Sequence, residues 1–296
     1  MIDTELKQVP YISLFRFIKP NSERFKLLSR SPQKFPGLFA VNFFGQEIRV
    51  IHQPEMVQHI LLRNSQNYKK DRGYQILALF LGNGLITNAD YASWRKQRTL
   101  LQPPFHRESL DNMCKIVAKS LEHLLEQWKQ KEGTVINLTQ EMAWLTIDIV
   151  SKTLFTTDVS EEHIQMIWES INYLNAASMT MIRNPYHIPW KFPIPRHIKA
   201  RKYISGVDNL IYSIIHKRKQ QKNQPRDLLQ LLIEARYEDG TAMSDEQIRD
   251  EVITVFVAGH ETTVNALSWT WYLLKQNKVK EQKLKEESQP VATRHP

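Results

Sequence analysis

The run from Ser244 to Asn277, SDEQIRDEVITVFVAGHETTVNALSWTWYLLKQN, constrains this chain more than any other stretch. Ser244 followed three residues later by Gln247 has the form of a capping box, so a helix should begin there. No proline interrupts the run, and Ile248, Val252, Val255, Phe256, Ala266, Leu267 and Leu273 recur at helical spacing. At 1.5 Å of rise per residue the helix would be roughly 45–50 Å long, enough to cross a whole domain.

In its most apolar part sits Ala258-Gly259-His260-Glu261-Thr262-Thr263, a string that breaks local rules. A helix-interior glycine costs about 1 kcal/mol relative to alanine, adjacent threonines are β-branched, and a buried carboxylate needs a partner. Two readings stand side by side. In one, this is an amphipathic core helix whose Glu261 reaches solvent or a cation. In the other, Gly259 lets a flat ligand approach the backbone, and a Thr hydroxyl draws a carbonyl out of the ladder to open a groove. Glu261 beside Thr262 then makes a short proton relay.

A length of 296 residues suffices for a sizeable core, in one large domain or two ordinary ones. The single Cys114 rules out an intramolecular disulfide framework and suits a reducing compartment. No apolar run reaches the ~20 residues of a transmembrane segment, and the start lacks the order of a signal peptide. The expected location is therefore cytoplasmic. A net charge of +9 favours an acidic partner, but without paired cysteines, a recognition helix or a glycine-rich phosphate loop no specific nucleic-acid role is expected.

Residues 1–34 read as a polar, basic arm with an aromatic patch at Tyr11, Phe15 and Phe17. Leu38–Phe44 and Glu47–Ile51 read as a hairpin around Gly45-Gln46. Pro54 should open a helix over Glu55–Arg63 with Met56, Ile60 and Leu61 inward. The segment 64–90 reads as irregular, with a turn at Leu81-Gly82-Asn83-Gly84-Leu85. In the basic turn that follows, Trp94 and Arg98 lie four apart, on one helix face. They form either a carboxylate-binding pair of indole N–H and guanidinium, or a half-buried Trp with an Arg stacked on it. Lys69, Lys70, Arg72, Arg95, Lys96 and Arg107 lie nearby in sequence, as a solvated face or a docking patch for an acidic protein.

Helical patterns then cover 110–128, 138–155, Glu161–Met181, Arg196–Lys219 and Pro225–Tyr237, with a proline-rich connection at 185–195. Cys114 reads as a small core hydrophobe. A charged helix follows over 278–287, and 288–296 has no structural pattern.

The motifs together match a known family. AGHETT at Ala258–Thr263, WRKQR at Trp94–Arg98, LLQPPFH at Leu100–His106 and the early hairpin resemble the first part of a cytochrome P-450, a haem-thiolate monooxygenase, and look most like the soluble bacterial kind. The resemblance covers roughly residues 35–287. It implies a mainly α fold with a small β hairpin, haem b as cofactor, and a small apolar substrate. By the same resemblance Trp94 and Arg98 would hold a haem propionate, Ala258 and Gly259 would pack over the haem face, and Glu261 and Thr262 would relay protons to oxygen activated there. The loop before Tyr91 and the connection at 185–195 would border the substrate pocket. Arg95 and Lys96 would receive an acidic ferredoxin or flavodoxin.

The family's Glu-x-x-Arg helix and its cysteine loop are not matched in this sequence, and Cys114 fits neither. The expectation is thus a truncated domain over 35–287 with an arm before it and an unstructured tail after it. On that expectation it lacks the axial thiolate and is not competent in oxidation by itself. The apolar face of the long helix, including Phe256, Val257 and Val264, is expected to be partly exposed. The alternative is a non-enzymatic, all-helical small-molecule-binding protein.

Overall fold

The two β-rich runs near the start pair as anticipated: β2 (Leu38–Phe43) lies antiparallel to β3 (Gln46–Ile51), with Leu38 opposite Ile51 and Phe43 opposite Gln46. A two-residue β1 (Tyr11–Ile12) adds to β2 in parallel, so the sheet has three strands where two are expected. The computed structural model describes residues 11–12, 21–43, 46–105, 107–183, 188–222, 225–237 and 239–292. Phe15 and Phe17 of the expected aromatic patch lie outside them. Contacts divide the chain into two compact units, 1–69 and 70–296.

In the first unit, Phe39 and Val41 are fully buried with Phe35 and Val50 packed against them. The arm expected over 1–34 contains α1 (Asn21–Lys34), followed after the hairpin by α2 (Pro54–Gln58). The helix read over Glu55–Arg63 changes pitch halfway: His59–Arg63 is a π turn. The wider turn rotates the later side chains, and Leu61, expected inward, is 65% exposed.

The second unit is helical: α3 (Arg72–Leu81), α4 (Tyr91–Leu101), α5 (Arg107–Gln130), α6 (Leu138–Phe155), α7 (Glu161–Arg183), α8 (Pro195–Gln220), α9 (Leu228–Glu234), α10 (Asp245–Gln276) and α11 (Lys278–Ala292). Helix α3 falls where the sequence reads as irregular. Asp71 caps it by accepting from the Gly73 N–H at 2.8 Å, and Ile76, Phe80 and Leu81 bury its inner face. Helix α11 continues to Ala292, through the first residues of the expected unstructured tail. Lys278, Lys285 and Lys283 pair with Glu281 and Glu287 at helical spacing, supporting that continuation.

The organising helix is α10. Its Ser244 hydroxyl accepts from the Gln247 N–H at 3.1 Å, but the Gln247 side chain reaches Asn83 and Glu251, so only half of the capping box forms. The helix packs chiefly along α6, and also on α8, α9 and α3. Phe256, Val257 and Val264 are buried, contrary to expectation, because they face these neighbours. The exposed apolar residues lie further along, at Trp269, Trp271, Tyr272 and Leu273. Cys114 is exposed on α5, not a core residue. Its position falls on the polar stripe between half-buried Met113 and Ile116.

Candidate functional site

Helix α4 starts at Asp90, whose carboxylate accepts from the Ser93 N–H at 2.7 Å, and one turn later presents Trp94 and Arg98 on a shared face. The Arg98 guanidinium carbon lies 5.6 Å from the indole ring centre, and Lys70 Nζ lies 6.0 Å from the same ring. This is the stacked arrangement, and it leaves hydrogen-bonding capacity free. Trp94 is half-buried and Arg98 exposed, and neither side chain donates a hydrogen bond or forms an ion pair among the described residues. Stack and carboxylate pair are therefore compatible: cations flank the ring while the indole N–H and guanidinium N–H groups remain available to an anion. Arg95 and Lys96 are exposed on the same helix. The side chain of Arg107 is outside the described residues.

The loop before α4 is bolted to α10. The Asn83 carbonyl accepts from Gln97 Nε2 of α4 at 3.0 Å and from Gln247 Nε2 at 3.2 Å. The Asn83 N–H donates to Asp250 at 2.6 Å, and the Leu85 N–H donates to Glu251 at 3.0 Å. So close is the approach that a Cβ on Gly82 (φ 65°) would overlap the Asp250 carboxyl. Burial is the leading influence on Glu251, which is fully buried, and pushes its carboxyl up to about 7 against the pull of the Leu85 N–H and Gln247. Sequence reading passes over this junction. Its one local signal is the pair Asp250-Glu251 inside an apolar helix, the same kind of broken rule that draws attention to Glu261.

At the middle of α10 the six singled-out residues divide between two faces. Ala258 and Glu261 are half-buried and Thr262 exposed, on the face that continues to Trp269. Gly259 is half-buried too, but a Cβ there would meet Val150 Cγ2 of α6 at 3.2 Å. Its missing side chain spares that close contact between the two helices. The Thr262 hydroxyl donates to the Ala258 carbonyl at 2.8 Å and the Thr263 hydroxyl to the Gly259 carbonyl at 2.9 Å. The helix is continuous through both. Glu261 has no side-chain partner among the described residues. The α4 pair and Glu261–Thr262 are joined by no direct hydrogen bond; their connection runs through Asn83 and α10 itself.

His260 turns inward between them. The Thr146 hydroxyl, on α6, lies 2.8 Å from His260 Nδ1 and 2.9 Å from the Met142 carbonyl. One proton lies between the hydroxyl and Nδ1, supplied by whichever of the two the imidazole tautomer makes the donor, and the contact holds the ring against α6. The bond fixes the rotation of α10 so that Glu261 and Thr262 point away from α6. Burial lowers the imidazole to about 4. The folded state therefore prefers neutral His260, and stability present above pH 6.5 is lost as pH falls toward 4. His260→Gln, which keeps a donor and a similar shape, should be about 2 kcal/mol more stable relative to the native protein at pH 5 than at pH 7. Urea midpoints at the two pH values measure it.

Matching against known families supports one identification. The cytochrome P450 family model matches residues 6–296, and the chain belongs to that family. Among curated relatives it is 28% identical to pentalenene oxygenase of Streptomyces avermitilis over 80% of this chain and 52% of that protein. It is 30% identical to cyclooctatin synthase of Streptomyces melanosporofaciens over 76% of this chain and 49% of that protein. The chain thus spans about half the length of the curated relatives it matches. Its fold is similar to the crystal structure of the cytochrome P450DA heme domain, with a TM-score of 0.76, 22% identity, and coverage of 93% of this chain and 62% of that one. The family's haem fits the residues present on α4: an indole N–H and a guanidinium, both without partners, are suited to a carboxylate-bearing cofactor. No helix among the described residues is long and apolar enough to cross a membrane.

Proposed function

We propose that this chain forms the distal side of a haem pocket in an oxygen-dependent monooxygenase acting on a small apolar substrate. The observation that carries the reading is the unpartnered Trp94 indole and Arg98 guanidinium, together with Glu261 and Thr262 on the outward face of α10, in a member of the P450 family. Bound there, haem would supply the oxygen-activating chemistry. Trp94 and Arg98 would hold its carboxylate, with Lys70 adding positive charge beside the indole ring. Ala258 keeps the outward face low, so that a flat ring system can lie against α10. Glu261 would take protons from solvent and pass them through water to the Thr262 hydroxyl, which donates to the Ala258 carbonyl and would release one proton for each it receives. Arg95 and Lys96, exposed beside the site, suit an acidic ferredoxin or flavodoxin as the electron donor.

Cys114 has no part in this site. The 296-residue polypeptide, given haem, reduced and exposed to carbon monoxide, should show no red-shifted band of the thiolate type, and Cys114→Ser should leave the spectrum unchanged. Arg98→Leu should weaken haem uptake at least tenfold, since a charged hydrogen bond contributes about 1.5–3 kcal/mol. A thiolate band abolished by Cys114→Ser would sink the reading, as would haem affinity indifferent to Arg98.

A further inference from the structure

Leu85 is gripped at both ends of its backbone. Its N–H donates to Glu251 at 3.0 Å and its carbonyl accepts from Lys70 Nζ at 2.8 Å. Lys70 in turn lies over two rings, 5.9 Å from Tyr74 and 6.0 Å from Trp94, and Arg98 sits on that same indole. A carboxyl on α10 is thereby linked through one residue to a cation of the α4 site. We propose that Glu251 is a positioning residue for that site: it clamps the Leu85 peptide that orients Lys70 beside Trp94, and its protonation state sets how firmly the clamp holds. The inference rests on the reading of Trp94 and Arg98 as an anion-binding pair and adds a residue that touches no ligand itself.

The charged and titratable groups facing Glu251 are Asp250 on its own helix, Lys70 before α3, and Tyr237 beyond α9. Asp250 is committed to Arg249 and the Asn83 N–H, which leaves Lys70 as the cation answering Glu251. Burial favours the protonated carboxyl in the closed junction, whereas a carboxyl released to water ionises in the ordinary range. The sign follows by linkage: raising the pH favours the open form, in which the proton has gone to solvent and Leu85 is free.

Hydrogen exchange of the 82–90 segment in the 296-residue chain, corrected for intrinsic rates, tests this without haem. Between pH 6 and pH 8 the native segment should open about tenfold more readily. Glu251→Gln cannot ionise and should show no such change, while Lys70→Met removes the answering cation and should steepen it. A native profile that is flat, or one that Glu251→Gln reproduces, overturns the proposal. Should Glu251→Gln fail to fold, Lys70→Met decides alone: a slope equal to the native one overturns it, and a steeper slope supports it. Failure of haem uptake with the exchange profile intact would instead remove the proposed function and leave the clamp standing.

Discussion

Gly84→Ala should cost about 3–5 kcal/mol, most of the stability of an ordinary domain. A methyl at this position would lie on the Thr254 hydroxyl and 2.5 Å from the Asp250 carbonyl oxygen. The second of these is backbone within a buried helix and cannot swing aside as a side-chain end would. Relief requires the loop to lift from α10, and lifting breaks the bonds from the Asn83 N–H to Asp250 and from the Leu85 N–H to Glu251. Overpacking of about 1–3 kcal/mol then adds to the buried Oδ2 of Asp250 and Oε2 of Glu251 left without donors, at about 1–3 kcal/mol each. Gly133→Ala is the control. Its φ is 80° but nothing lies within 4 Å of the added Cβ, so only the backbone penalty of about 1–2 kcal/mol applies. Equal urea midpoints for the two variants would refute the account.

Arg218→Leu should be of similar size, at about 3–5 kcal/mol. The guanidinium of Arg218, near the end of α8, donates to Asp227 at 2.7 Å and to the Phe155 carbonyl at 2.5 Å, with both charged side chains 4% exposed. Asp227 also caps α9 by accepting from the Gln230 N–H at 2.9 Å. Removing the cation leaves a carboxylate in the interior with only a backbone donor, and the C-terminal end of α6 loses a partner for its last carbonyl. In the double variant Arg218→Leu/Asp227→Asn no charge is left uncompensated, and more than half of the loss should return. A double variant as damaged as the sum of the singles would show that the pair acts independently.

Local chemistry is legible in this sequence and distant chemistry is not. The 138–155 helix and the Ser244 start of α10 are found by periodicity and capping alone, because both signals lie within a few residues of the feature they define. The Trp94–Arg98 pair is legible for the same reason. The Asp250 and Glu251 junction depends on partners 167 and 166 residues upstream, and no spacing rule reaches that far. Which face of α10 is buried also escapes, since Phe256 and Trp269 look alike in hydrophobicity and differ only in which helix meets them. For Gly259 the local rule is legible and the neighbour is not: a side chain there would meet Val150 of α6, far away in sequence.

His260 and Glu251 sit on one helix and are displaced in opposite directions, one lowered to about 4 and the other raised to about 7. On folding between about pH 4.5 and 6.5, the imidazole sheds a proton that the unfolded chain would keep, and the carboxyl takes one up that the unfolded chain would have lost. For these two groups the exchange with the buffer nearly cancels. The long helix therefore behaves as a proton-neutral strut, able to carry two buried ionisable groups without making the fold strongly acid-sensitive or alkali-sensitive through that window.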